Sequence, residues 1–193
     1  MKKIAIAIDG PAAAGKSTIA KRVANNLGYT YIDTGAMYRC VAYYALVKGV
    51  DFHDENAVCR LLPEIKIKLM PDNTVYLNDR DVTADIRVNE ISAGASIVSA
   101  YSKVRTYLVA QQREMAKEGG VILDGRDIGT VVFPDANVKI YLDANIKEGE
   151  RTMSKKLRTE AVDNLFDAIL SLQNREECYT FFEDVCTVNE LLS

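Results

Sequence analysis

The sequence predicts an α/β protein, doubly wound around a mainly parallel sheet, and three observations carry the prediction. Short apolar runs at residues 4–8, 29–32, 121–123 and 138–142 have the length and β-branched content of buried parallel strands. Segments of helical periodicity separate them. Polar, glycine-containing groups follow the first three runs, at the carboxyl strand ends where open α/β sheets bind ligands.

A chain of 193 residues suits one domain with room for an appendage. Its 24 basic and 27 acidic side chains leave a formal charge of −3, so no global field advertises nucleic acid or an anionic membrane. Phosphate binding must come from local clusters. The apolar run after Met1-Lys2-Lys3 is too short for a signal peptide, and no stretch approaches a membrane span, which predicts a cytoplasmic location. Cys40, Cys59, Cys178 and Cys186 form no C-x-x-C pair and His53 is the single histidine, so zinc-ligand spacing is absent and reduced thiols are expected. No Ser-His-Asp or Cys-His arrangement can be built, so the chemistry must be of a kind that needs no histidine.

After the strand at 4–8 comes Gly10-Pro11-Ala12-Ala13-Ala14-Gly15-Lys16-Ser17, which matches GxxxxGK(S/T) at a strand-to-helix junction. Backbone N–H groups aimed from such a loop and helix start form a concave donor site for phosphate. Lys16 would reach the β- and γ-phosphates and the Ser17 hydroxyl would complete a magnesium shell. An ordinary glycine turn is the alternative, disfavoured because both flanks are what the mechanism requires. The helix over 17–27 has Ile19, Val23 and Leu27 on one face and stops at Gly28.

The strand at 29–32 delivers Asp33-Thr34-Gly35-Ala36-Met37-Tyr38-Arg39, with Thr34 the expected N-cap of a helix to about Lys48. The strand-end rule puts this segment beside the phosphate loop, and Arg39 either addresses a second phosphate or is a solvated helix residue. Alternating segments at 65–69 and 75–77 around Pro71-Asp72-Asn73 predict a small hairpin insertion over about 63–83, a flap near the substrate or else a surface decoration. Residues 84–100 and 102–117 read as two helices, the second with Val104, Leu108 and Met115 as its apolar stripe. Gly119-Gly120 ends it. The strand at 121–123 leads to Asp124-Gly125-Arg126-Asp127-Ile128-Gly129, a second polar group at a strand end, and Pro134 precedes the last strand.

Three motifs now stand in order: IDGPAAAGKST at 8–18, DTGAMYR at 33–39 and DGRDIGTVVFPDA at 124–136. With them the chain over about residues 1–145 closely resembles the bacterial cytidylate kinases, nucleoside monophosphate kinases of the P-loop class that also carry a small antiparallel sheet. The resemblance implies a P-loop nucleoside monophosphate kinase-like fold over residues 1–150. It also implies transfer of the γ-phosphoryl group of ATP to CMP or dCMP, with Mg2+ as cofactor. Carried over residue by residue, Gly10, Pro11, Ala12, Ala13, Ala14, Gly15, Lys16, Ser17 and Thr18 would hold ATP, with Ser17 on the metal. Lys16 and Arg126 would be catalytic. Thr34 and Arg39 would grip the acceptor phosphate, Ser96 and Arg105 would contact cytosine, and Arg126 with Asp127 would orient phosphate and neighbouring groups. Asp124 resembles a structural or water-mediated magnesium partner. ATP and CMP or dCMP are the implied partners, with no nucleic acid and no membrane.

Past about Asn145 the family's arginine-rich lid and second arginine cluster are expected to be missing, with Glu150-Arg151 the only trace. Such an arginine is worth roughly 10³ to 10⁵ in rate in related phosphoryl transfer. The alternative is therefore a nucleotide-binding module with weak turnover. From Met153 the chain resembles the start of a Trp-repressor-like regulator, on the motifs at 165–170 and 177–182, so a helical tail over 153–193 and a join near Thr152 are expected. The tail carries four basic and eight acidic residues, which repels nucleic acid. The chain is read as a monomer, with tail-mediated self-association the alternative.

Overall fold

A computed structural model describes residues 3–11 and 15–142. In chain order the elements are β1 (Ala5–Asp9), α1 (Lys16–Leu27), β2 (Thr30–Asp33), α2 (Thr34–Val47), α3 (Glu55–Leu61), β3 (Ile67–Leu69), β4 (Val75–Leu77) and β5 (Arg80–Asp81). They continue with α4 (Asn89–Val98), α5 (Ser102–Ala116), β6 (Val121–Asp124) and β7 (Val138–Tyr141). Two compact units share these elements: residues up to Ile32 with those from Ala116 onward, and Asp33–Met115.

The first unit holds the main sheet, ordered β2-β6-β1-β7. β1 lies inside it, parallel to β6 with Ala5 opposite Val121 and Ile8 opposite Asp124, and parallel to β7 with Ile6 opposite Val138. All five β1 residues are buried, so the four before Asp9 read as a continuous apolar run rather than an alternation. Helix α1 packs Ile19, Ala20, Val23 and Ala24 into one core with Ile6, Ile8, Ile122 and Ile140. Each such side chain removed from water contributes roughly 1.5–3 kcal/mol for the large aliphatics. After β6 the chain makes an unpredicted π-helical turn over Ile128–Val132. β2 and β7 are the outer strands among the described residues.

The second unit is built on α2 and α4, with Met37, Val41, Ile86, Ile91, Val104 and Leu108 fully or almost fully buried. β3, β4 and β5 form an antiparallel sheet in that order, Ile67 facing Leu77 and Leu77 facing Arg80. The expected two-stranded hairpin is thus three-stranded. Asn78 and Asp79, both at positive φ, make the two-residue turn into β5, the backbone that primed hairpin turns require. Ile67, Val75 and Leu77 join the core of α2 and α4 instead of forming one of their own.

Two local expectations are corrected. The N-cap of α2 is Asp33, whose Oδ1 accepts the Ala36 N–H at 2.9 Å, and Thr34 is the first helical residue. The single helix expected over 84–100 is a 3₁₀ turn, Asp85–Arg87, followed by α4, because Val88 is extended at φ −72° and ψ 154°. In α5 the buried line includes Gln112 after Val104 and Leu108, where the apolar stripe skipped it. Ala12, Ala13, Ala14, Glu150-Arg151 and the 153–193 tail lie outside the described residues.

Candidate functional site

In the first unit, the phosphate-binding pattern sits between β1 and α1. Gly10 has φ 147°, and a Cβ there would collide with the carbonyl oxygen of Leu142. Gly15, at φ 81° and ψ 5°, is the N-cap of α1 and offers no side-chain cap, so the helix start presents its N–H groups to an anion. Lys16 and Ser17 occupy the first turn. The Lys16 ammonium donates to the Pro11 carbonyl at 2.6 Å. Burial pulls the Lys16 pKa below its ordinary value, and Arg126 adds to that, while Asp124 and Asp9 oppose it.

Asp124, at the end of β6, is a carboxylate only 5% exposed. Its Oδ2 accepts the Ser17 hydroxyl at 2.6 Å and the Tyr31 hydroxyl at 3.0 Å, the partners that a buried charge needs. The hydroxyl and carboxylate make an all-oxygen donor pair suited to a hard divalent cation that keeps most of its shell for phosphate and water. No cluster of three His, Cys, Asp or Glu side chains able to hold a metal occurs among the described residues. Asp9, the last residue of β1, accepts the N–H groups of Ile128 and Gly129 at 2.7 and 2.8 Å. It thereby ties the residue before Gly10 to the turn that follows Arg126 and Asp127. Arg126, Ser17 and Thr18 are exposed, and Asp127 is half-buried.

In the second unit, Asp33 organises a separate polar group. Its Oδ2 accepts Arg87 Nη2 at 2.8 Å, and Arg39 Nη1 stands 4.0 Å from the same oxygen. That Nη1 is buried without a hydrogen-bond partner. Burial, and then the Asp33 charge, push the Cys40 thiol up to about 12, so it stays protonated and is no nucleophile. Thr34 is buried, Ser96 is exposed on α4 with its hydroxyl donating to Ser92 O at 3.2 Å, and Arg105 is half-buried on α5.

The structure thus joins Lys16, Ser17 and Asp124 in one group and places Arg39 in another. Sequence reasoning singled out none of Asp9, Tyr31 and Arg87. For Arg87 the one signal was the Asp33-to-Arg39 motif, whose acidic first residue calls for a cationic partner.

Residues 6–178 match the protein family described as Cytidylate kinase. The Cytidylate kinase of Shouchella clausii is 49% identical over 149 residues, covering 76% of this chain and 66% of the relative. That of Streptococcus uberis is 47% identical over 173 residues, 88% of this chain and 76% of the relative. That of Geobacillus thermodenitrificans is 52% identical over 153 residues, 78% and 68%. The chain therefore spans about two thirds to three quarters of the length of these relatives. The family match continues past Asn145, where the motif pattern was expected to fail, and across Met153.

Proposed function

This chain belongs to the cytidylate kinase family, and from that premise we propose that it transfers the γ-phosphoryl group of ATP to CMP or dCMP. An oxygen of the acceptor phosphate forms the new bond to the γ-phosphorus. The bond from that phosphorus to the β-bridging oxygen breaks, and ADP leaves with the electron pair. The attacking group is already an anion, so no general base is needed and the work is positioning and charge neutralisation. The one histidine, His53, is correspondingly exposed.

The observation that carries the reading is the uncapped start of α1 with Lys16 and Ser17 in its first turn and Asp124 on Ser17. In this reading residues 10–18 hold ATP and Lys16 draws charge from the transferring group, with Arg126 beside it as the second catalytic cation. Thr34 and Arg39 receive the acceptor phosphate, Ser96 and Arg105 address cytosine, and Arg126 with Asp127 orient the phosphates. Mg2+ is the cation in this proposal; Ser17 and Asp124 would hold it, directly or through water, and when bound it neutralises phosphate charge. We place the protein in the cytoplasm, on the sequence features read above, and read it as a monomer.

The test is a coupled assay of the full chain with Mg2+, ATP and CMP, with UMP and AMP as comparators and ATP binding measured on the same sample. Turnover selective for CMP is expected. ATP binding without turnover would overturn the proposal in favour of a binding module, and Lys16→Ala with normal ATP affinity would overturn the loop assignment.

The division at about residue 150 and the Trp-repressor-like reading of 153–193 rest on the motifs at 165–170 and 177–182, and the family match through residue 178 weighs against them. Re-sequencing the source across Thr152 and Met153 tests whether the join is natural: an unbroken message and a stable protein spanning 147–158 would remove the reading of it as an artefact.

A further inference from the structure

Asp33 faces two guanidinium groups with one charge. Its Oδ1 is committed to the Ala36 N–H at the start of α2, which fixes the carboxylate and aims Oδ2 at the arginines. Arg87 holds the hydrogen bond to Oδ2 at 2.8 Å, whereas Arg39 Nη1 remains at 4.0 Å, beyond hydrogen-bond reach. The Arg39 atom on that side is buried and unpartnered, although the side chain as a whole keeps 27% of its exposure. A guanidinium that close to a carboxylate ordinarily closes the gap to a direct hydrogen bond. Here the other arginine has taken the acceptor, and Arg39 retains a donor in need of one.

We infer that Arg87 is a positioning residue for acceptor recognition: by occupying the Asp33 carboxylate it keeps Arg39 from pairing with Asp33 and leaves that guanidinium for the phosphate of the acceptor nucleotide. The inference rests on the reading of Arg39 as an acceptor-phosphate ligand. Gly35 leaves the room this arrangement uses, since a Cβ there would stand 3.2 Å from Asp33 Oδ1 and 3.7 Å from Arg39 Nη1. Arg87 comes from the 3₁₀ turn ahead of α4, so the extended Val88 that breaks the expected helix sets where it points. Two cations on one carboxylate also leave the group one positive charge in excess, the sign a phosphate dianion requires.

The experiment compares Arg87→Gln, Asp33→Asn, the double variant and Arg39→Ala in the full chain, reading CMP and ATP affinity by calorimetry and KM and kcat by coupled assay. Asparagine caps helices about as well as aspartate, so Asp33→Asn keeps the α2 cap and removes only the charge. Arg87→Gln is expected to weaken CMP about fivefold, the worth of a partly exposed ion pair that Arg39 must then break, with ATP affinity unchanged. Adding Asp33→Asn should restore CMP affinity, because no carboxylate remains to capture Arg39. A CMP affinity unchanged in Arg87→Gln overturns the inference, as does a double variant no better than Arg87→Gln, which would mean that Arg87 touches the nucleotide itself. Should Arg87→Gln fail to fold, Arg87→Lys, which keeps the charge on Asp33, must bind CMP within about twofold of the parent. Arg39→Ala separates the two readings: undiminished CMP affinity there sinks the acceptor-phosphate assignment itself. A loss there with none in Arg87→Gln sinks only the role of Arg87.

Discussion

Replacing Asp9 with alanine should unfold the phosphate loop's anchor before it touches any ligand. The π-helical turn over Ile128–Val132 starts without a cap of its own, since Asp127 makes no side-chain cap hydrogen bond. Its first two N–H groups end instead on the Asp9 carboxylate, at 2.7 and 2.8 Å, and Asp9 is only 8% exposed. Asp9→Ala leaves both donors buried and unpaired, at about 1–3 kcal/mol for each and so about 2–6 kcal/mol together. Against a typical total of about 5–15 kcal/mol that is a large fraction. Asp9→Asn keeps one acceptor and should lose about 1–3 kcal/mol. Urea unfolding of both variants gives the loss, and amide exchange at Ile128 and Gly129 locates it. A midpoint within about 0.5 kcal/mol of the parent, the range of an inert surface change, with both amides as protected as before, would refute the account.

Lys16 loses its proton at lower pH than an exposed lysine, because burial disfavours the ammonium. ATP affinity of the free protein should therefore fall as pH rises toward 10.5, the ordinary lysine value, and calorimetry on Lys16→Met should find weak binding with that pH dependence gone. Tyr31→Phe removes one donor to the Asp124 Oδ2 and should cost about 1 kcal/mol by chemical denaturation, and no loss would contradict the bond. At Gly94 in α4 a Cβ would meet the Phe52 ring at 2.7–2.9 Å, and the Phe52 carbonyl is held by the Tyr101 hydroxyl. Gly94→Ala should thus cost about 1–3 kcal/mol of overpacking, offset by up to about 1 kcal/mol of helix propensity, and a raised melting temperature would count against it.

The main sheet was legible because a buried parallel strand is apolar throughout, and the four expected runs lie within a residue or two of β1, β2, β6 and β7. Helices α1 and α5 were legible for the complementary reason, their 3.6-residue periodicity, and α2 by the polar segment that opens it after the strand at 29–32. Where local pattern was thin, expectation failed. β5 is two exposed residues with no alternation to show, and only the Asn78-Asp79 turn announced it. The break at Val88 is a change of backbone between two stretches that each favour helical turns. Gln112 hid a buried position behind a polar side chain, and both its amide atoms are buried without a partner.

The candidate site divides along the same line. In the proposed function Lys16, Ser17, Arg39 and Arg126 stand in motifs because a phosphate or a metal would select the residue type directly, and residue type is what a sequence displays. The residues that hold the site in place are selected by distance instead. Asp9 lies 119 residues from the Ile128 N–H it accepts, Tyr31 lies 93 from Asp124, and Arg87 lies 54 from Asp33. No spacing rule links positions that far apart, since only the sheet register and the packing of α2 with α4 bring such pairs together. Arg87 also lay in a stretch read as one helix, on which its side chain had no assigned direction. Once the 3₁₀ turn is recognised, the acidic residue that opens DTGAMYR acquires a second cation, and Arg39 becomes the arginine with a donor to spare.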